Sequence, residues 1–184
     1  MLDVARRIAG IGSLGLDRYS VLIVGTGSPD GCDLLDLKQA MPSSLLRHLK
    51  RAQPAWPSQA QRIVDLQRRE QAVSVALLQP VFIDETGYVL RVLQPSEERI
   101  SLERVQQNAA ELEQLIDTMG RMVAWAHLRG AGRAGSAIAD ELIDFGRRTK
   151  WRAPLLEASK DCAAQVRKDA AKFNAAFDDG LFAV

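Results

Sequence analysis

Gly10-Ile11-Gly12-Ser13-Leu14-Gly15 runs directly into Leu16-Asp17-Arg18-Tyr19-Ser20-Val21-Leu22-Ile23-Val24, and the fold turns on how this stretch is read. In a dinucleotide-binding fold, G-x-G-x-x-G opens a helix whose N-terminus holds pyrophosphate. Asp33 or Asp36 even stands near the distance of the ribose-binding acid. The residues after Gly15 oppose that reading, because Tyr19, Val21, Ile23 and Val24 are aromatic and β-branched and favour a strand. A Walker loop is excluded, since no Gly-Lys-Ser/Thr follows the glycines.

The third use of the motif is the kinase-type loop, a turn between two antiparallel strands in which bare backbone N–H groups approach the phosphates of ATP. Gly10, Gly12 and Gly15 supply the bare backbone, and Ser13 adds a hydroxyl. A third strand should bring a fixed cation to the same phosphates, and Lys38 in Leu34-Leu35-Asp36-Leu37-Lys38 has that place and alternation. A helix should follow with an acid to hold the lysine; Asp65 and Glu70 are both candidates. Leu93 and Gln94 fall where a hinge would hold adenine by backbone groups.

The rest of the chain agrees with this order. Strands are expected over residues 4–9, 16–24 and 34–40, with a turn at 25–31. Pro54, Trp56 and Pro57 lead into a helix over 58–73, with Ser58 as N-cap and Ile63, Leu66 and Val73 in its apolar stripe. Strands at 79–83 and 88–93 flank a turn at Asp84-Glu85-Thr86-Gly87. From Ser101 onward the three- and four-residue spacing of Leu102, Val105, Leu112, Leu115, Ile116, Met119, Met122 and Val123 predicts helices, with Met119 and Met122 filling a core. A glycine-rich loop at 130–135 precedes helices at 138–147 and 154–177. The fold class is α+β: a five-stranded antiparallel lobe with one helix over 1–96, then a helical part over 97–184.

Composition narrows the function classes. The 184 residues are 47% hydrophobic and 26% charged with net charge +1, which gives no electrostatic case for nucleic acid or an anionic membrane as partner. Arginines are spread along helices rather than gathered in one run, and a solvated face is the preferred reading. Cys32, Cys162, His48 and His127 show no metal-ligand spacing, so no intrinsic metal site is expected, and the two thiols should be free in a reducing cytoplasm. No stretch approaches the ~20 apolar residues of a bilayer span.

Five segments, in order, resemble a known bacterial family: D-V-A-R-R-I-A-G-I-G-S-L-G (3–15), L-L-D-L-K-Q-A (34–40), Q-R-I-V-D-L-Q-R (61–68), Y-V-L-R-V-L-Q-P (88–95) and W-A-H-L-R-G (125–130). They are similar to the C-terminal half of domain of unknown function 2252, an uncharacterised family that itself resembles the protein-kinase-like superfamily. Arg62 and Gln67 match its helix motif, and Asp65 sits where many relatives have an acid. The resemblance implies that a Gly-Asp-x-His-x-x-Asn-Phe motif and an Asp-rich strand precede the glycine loop in longer members. On that basis the chain looks like the C-terminal part of such a protein.

Asp144-Phe145-Gly146 spells the metal-binding motif of ordinary kinases, with Ala153-Pro154-Leu155-Leu156-Glu157 and His127-Leu128-Arg129 as faint companions. The catalytic loop needs an aspartate and an asparagine, and residues 130–135 hold neither. Ile138, Leu142 and Phe145 share one helical face, so helix is the reading preferred for this segment. Three functions follow. The first is an ATP-binding module, taking Mg with its nucleotide and lacking its own phosphotransfer residues. The second is a non-catalytic interaction domain that self-associates or docks a missing N-terminal half, and the third is a small complete phosphotransferase using Asp144.

Overall fold

The computed structural model describes residues 1–10, 13–26, 31–50, 52–95 and 100–181. Gly12 and positions 27–30 of the expected turn therefore lie outside the described residues. Two compact units divide the chain, Met1–Ser136 and Ala137–Val184.

The first unit is built on a five-stranded antiparallel sheet in the order β1-β2-β3-β5-β4. Its strands are β1 (Asp3–Arg6), β2 (Arg18–Val24), β3 (Cys32–Gln39), β4 (Gln79–Ile83) and β5 (Thr86–Val92). Residues 7–17, with the glycines, join the antiparallel pair β1 and β2. Helix α1 (Gln59–Glu70) lies in the connection from β3 to β4, and β5 then inserts between β3 and β4.

Alternation gives the sheet two different faces. On one, Val21, Leu35, Leu37 and Tyr88 are buried, with Tyr19, Ile23, Val81, Leu90 and Val92 packed against them. Tyr19 and Tyr88 meet at 6.3 Å in a tilted pair. Burial, reinforced by the charges of Asp17, Tyr19 and Asp84, pushes the Tyr88 phenol above its ordinary range. The other face carries Arg18, Asp36, Lys38, Val89 and Arg91 in register and receives α1. Gly87 makes this docking close: a Cβ there would stand 3.3 Å from the Ala60 Cβ. Ala60 and Val64 are fully buried.

Ser58 caps α1 as its spacing predicts, accepting the Gln61 N–H at 3.0 Å. The helix ends at Glu70 rather than 73, with Gln71 already extended at φ −85° and ψ 142°. Val73 is 85% exposed, so continuing the helix would bury nothing there. The turn between β4 and β5 is only Asp84-Glu85, because Thr86 and Gly87 pair within the sheet; Asp84 takes the left-handed φ of 50° that aspartate tolerates.

Helices α2 (Leu102–Val105) and α3 (Ala109–Gly130) complete the first unit, α3 packing along α1. The Asn108 side chain caps α3 by accepting two backbone N–H groups. Its apolar spacing does not make a core: Ile116, Met119, Met122 and Val123 are all more than half exposed, and no residue of α3 is buried. The periodicity identified the helix correctly and its environment wrongly, since an apolar face is the same sequence signal whether or not a partner covers it.

The second unit comprises α4 (Ala139–Arg147) and α5 (Arg152–Asp178). Phe145 stacks on Trp151 at 5.6 Å, and Glu141 accepts the Ile138 N–H at 2.9 Å. Asp144-Phe145-Gly146 is helical, and Asp144 pairs with Arg148 one turn on. Cys32 opens β3, and Cys162 lies exposed on α5. Among the described residues, no helix is long and apolar enough to cross a membrane.

Candidate functional site

The helix-covered sheet face holds an unusual charge arrangement. Asp36 is 1% exposed, and a carboxylate removed from water needs compensation. Arg18 provides it with Nε on Oδ1 at 2.6 Å and Nη2 on Oδ2 at 2.8 Å, a bidentate pair across β2 and β3. Two further guanidiniums crowd the same group: Arg91 Nε stands 3.5 Å from Oδ2, and Arg7 Nη1 stands 3.8 Å from Oδ1. Arg7 Nη1 is buried and has no hydrogen-bond partner among the described residues. The third nitrogen of Arg18, Nη1, donates to the Ala9 carbonyl at 3.0 Å, tying the stem of the glycine stretch to β3.

This convergence is a correction to the sequence reading of the arginines as solvated faces. Arg91 lies far along the chain from Arg7 and Arg18, which flank the glycine stretch, and the pairing of β1, β2, β3 and β5 assembles the three. Both oxygens of Asp36 are taken by Arg18.

The glycine stretch takes conformations that glycine permits, with φ +76° at Gly10 and +79° at Gly15. Ser13 N–H donates to the Gly10 carbonyl at 3.0 Å, and Leu16 N–H to the Ser13 carbonyl at 3.1 Å, so the chain turns tightly before β2. Arg18, the first residue of β2, pairs with Lys38, which puts Lys38 at the glycine end of the sheet.

A cavity of about 320 Å³ opens here, lined by Leu16, Asp36, Lys38, Gln39, Gln67, Arg91 and neighbouring apolar groups. Lys38 is half-buried and makes no hydrogen bond or ion pair among the described residues. From α1 the cavity receives Ile63 and Gln67, whose Oε1 is buried and unpartnered. Asp65 and Glu70 do not line it: Asp65 accepts from Gln61 at 2.7 Å, and Glu70 borders a different cavity. Residues 60, 63, 64 and 67 form the face of α1 toward the sheet, so Gln67 is the α1 polar group on Lys38's side. Its signal was legible, as Gln67 falls on the same three-and-four spacing as Ile63 and Val64.

Leu93 and Gln94 follow β5 outside this cavity. Leu93 N–H donates to the Leu34 carbonyl at 2.8 Å, extending the β3–β5 ladder by one residue. The second cavity, about 650 Å³, is lined by Leu46, Leu49, Trp56, Leu66, Arg62 and Arg133 among others. Arg62 is occupied there by Gln59 and the Met41 carbonyl. Among the described residues, no three His, Cys, Asp or Glu side chains are grouped to hold a metal ion.

Sheet, helix and cavity together define an α+β protein with a pocket between the sheet and α1 that holds Lys38 and Arg91; Gly10, Ser13 and Gly15 do not line it. The chain belongs to the family described as an uncharacterized protein conserved in bacteria (DUF2252), whose model matches residues 1–176. No curated protein and no solved structure matches it significantly.

Proposed function

We propose that this chain is a kinase-like nucleotide-binding module that holds the phosphates of Mg-ATP between the glycine stretch and Lys38. The observation that carries the reading is that Leu16, next to Gly15, and the unpaired Lys38 line one cavity at the end of the sheet where the glycines join β1 and β2. Backbone N–H groups along a bare glycine turn and a fixed ammonium are complementary to a polyphosphate. The strand order with one helix between β3 and β4 supports the kinase-like comparison, and Mg arrives with the nucleotide as its counter-charge. Phosphotransfer groups come from outside the described residues, because the Asp144 segment is an ordinary helix. A ligand that binds only the folded chain raises its melting temperature. Wild-type protein should melt higher in millimolar Mg-ATP and Lys38→Ala should not; equal shifts in both would remove Lys38 from the site.

A second reading, an interaction module, is favoured by α3. Leu112, Ile116, Met119 and Val123 share one helical face, and the last three are more than half exposed. Self-association through that face predicts a dimer that Met119→Glu dissociates; a monomeric wild type at high concentration would count against it.

A further inference from the structure

Resting on the reading that the Lys38 cavity receives phosphates, we infer that Arg91 is a second phosphate-binding cation of that cavity, stationed there by Asp36. The Asp36 charge is shared unequally among its neighbours. Arg18 takes both carboxylate oxygens at 2.6 and 2.8 Å, with its own side chain 13% exposed. Arg91 approaches one oxygen only at 3.5 Å, is 40% exposed and lines the cavity. One carboxylate cannot neutralise three guanidiniums, so Arg91 is held by Asp36 without being saturated by it. Its remaining N–H donors are available to a ligand.

Register places Lys38 and Arg91 for joint action. Asp36 pairs with Arg91, and Lys38 pairs with Val89, all on one face of the sheet. Lys38 and Arg91 are thus diagonal neighbours, roughly 7–8 Å apart at their Cα atoms, within reach of long side chains. Two like charges so placed repel each other unless an anion lies between them. Three guanidiniums stand around Asp36 and Lys38 lines the same cavity, so these groups carry a local excess of three positive charges in a chain whose net charge is +1. Gln67, with its unpartnered amide oxygen, borders the same space and can accept from a ligand hydroxyl or from Lys38.

The cavity volume of about 320 Å³ sits at the small end of the ~300–1,000 Å³ range of ligand pockets. It suits the polyphosphate end of a nucleotide better than the whole molecule. Arginine and lysine divide that task, the planar guanidinium binding two oxygens and the ammonium acting as a point charge.

Isothermal titration of the full chain with sodium tripolyphosphate, Mg-ATP and adenosine tests this, using wild type, Arg91→Met, Arg91→Lys and Lys38→Ala. Arg91→Met should weaken tripolyphosphate and Mg-ATP binding by roughly tenfold to a hundredfold, the range for losing hydrogen bonds to a charged group. Arg91→Lys should recover part of that loss. Should Arg91→Met fail to fold, Arg91→Lys carries the test, and wild-type affinity in that variant overturns the inference. If Lys38→Ala loses Mg-ATP while Arg91→Met binds both ligands normally, the nucleotide reading survives and the role of Arg91 falls. If tripolyphosphate binds in an Arg91-dependent way and Mg-ATP does not bind, the nucleotide reading falls and the inference stands. Wild type that binds neither ligand overturns both.

Discussion

Arg18 grips both oxygens of Asp36 and, through its third nitrogen, the Ala9 carbonyl, so one guanidinium joins the stem of the glycine stretch to the strand that carries Lys38. Removing the carboxylate leaves three guanidiniums facing one another in a part-buried space. Asp36→Ala should destabilise the fold by about 3–5 kcal/mol, as expected when one partner of a buried pair is lost. Denaturant unfolding reads this directly. Adding Arg18→Met should return part of the loss, with coupling of about 1–3 kcal/mol in a double-mutant cycle.

The seat of α1 on the sheet depends on small, close-packed groups. Val64 is fully buried, and Val64→Ala should cost about 2 kcal/mol through lost contact and a residual cavity. Gly87→Ala should cost about 1 kcal/mol, because the new methyl meets Ala60 at 3.3 Å. Thermal or urea unfolding of both variants checks the packing.

Tyr88 gives the fold an alkaline limit. Its phenol is held above the ordinary range by burial first and by nearby negative charge second. The native state therefore keeps a proton that the unfolded chain releases, and stability falls as pH rises from the unfolded phenol value toward the native one. Below about pH 10, the unfolded phenol value, this contribution is intact. Unfolding free energies measured from pH 8 to 11 should decline less steeply for Tyr88→Phe than for wild type.

Asp144 belongs to a helix surface. It is 56% exposed in its pair with Arg148, and such exposed pairs are worth little. Asp144→Asn should change stability by less than about 0.5 kcal/mol and leave Mg-ATP binding at its wild-type level. Loss of nucleotide binding in this variant would revive the complete-phosphotransferase reading.

The sheet was legible because its signals are local. Tyr19, Val21 and Ile23 after Gly15 exclude a helix, Ser58 marks the start of α1, and the strand at Gln79–Ile83 reads directly from its residues. The charge cluster was not legible, because Arg7 and Arg18 meet Asp36 and Arg91 only through the register of β2, β3 and β5, which no window of sequence contains. The helix residue beside Lys38 was sought among acids, and Asp65 and Glu70 are the acids of α1; the position on the sheet-facing stripe belongs to the neutral Gln67. Burial on α3 was not legible either, since exposed and covered apolar faces share one periodicity.

The proposed nucleotide binding by this chain turns on Lys38 and the glycine stretch beside it. Titration calorimetry of the full chain with Mg-ATP, run side by side with Lys38→Ala, addresses it most directly. Saturable binding by wild type that the variant loses is the predicted result. No binding by either protein at millimolar nucleotide, or equal affinity in both, would contradict the account.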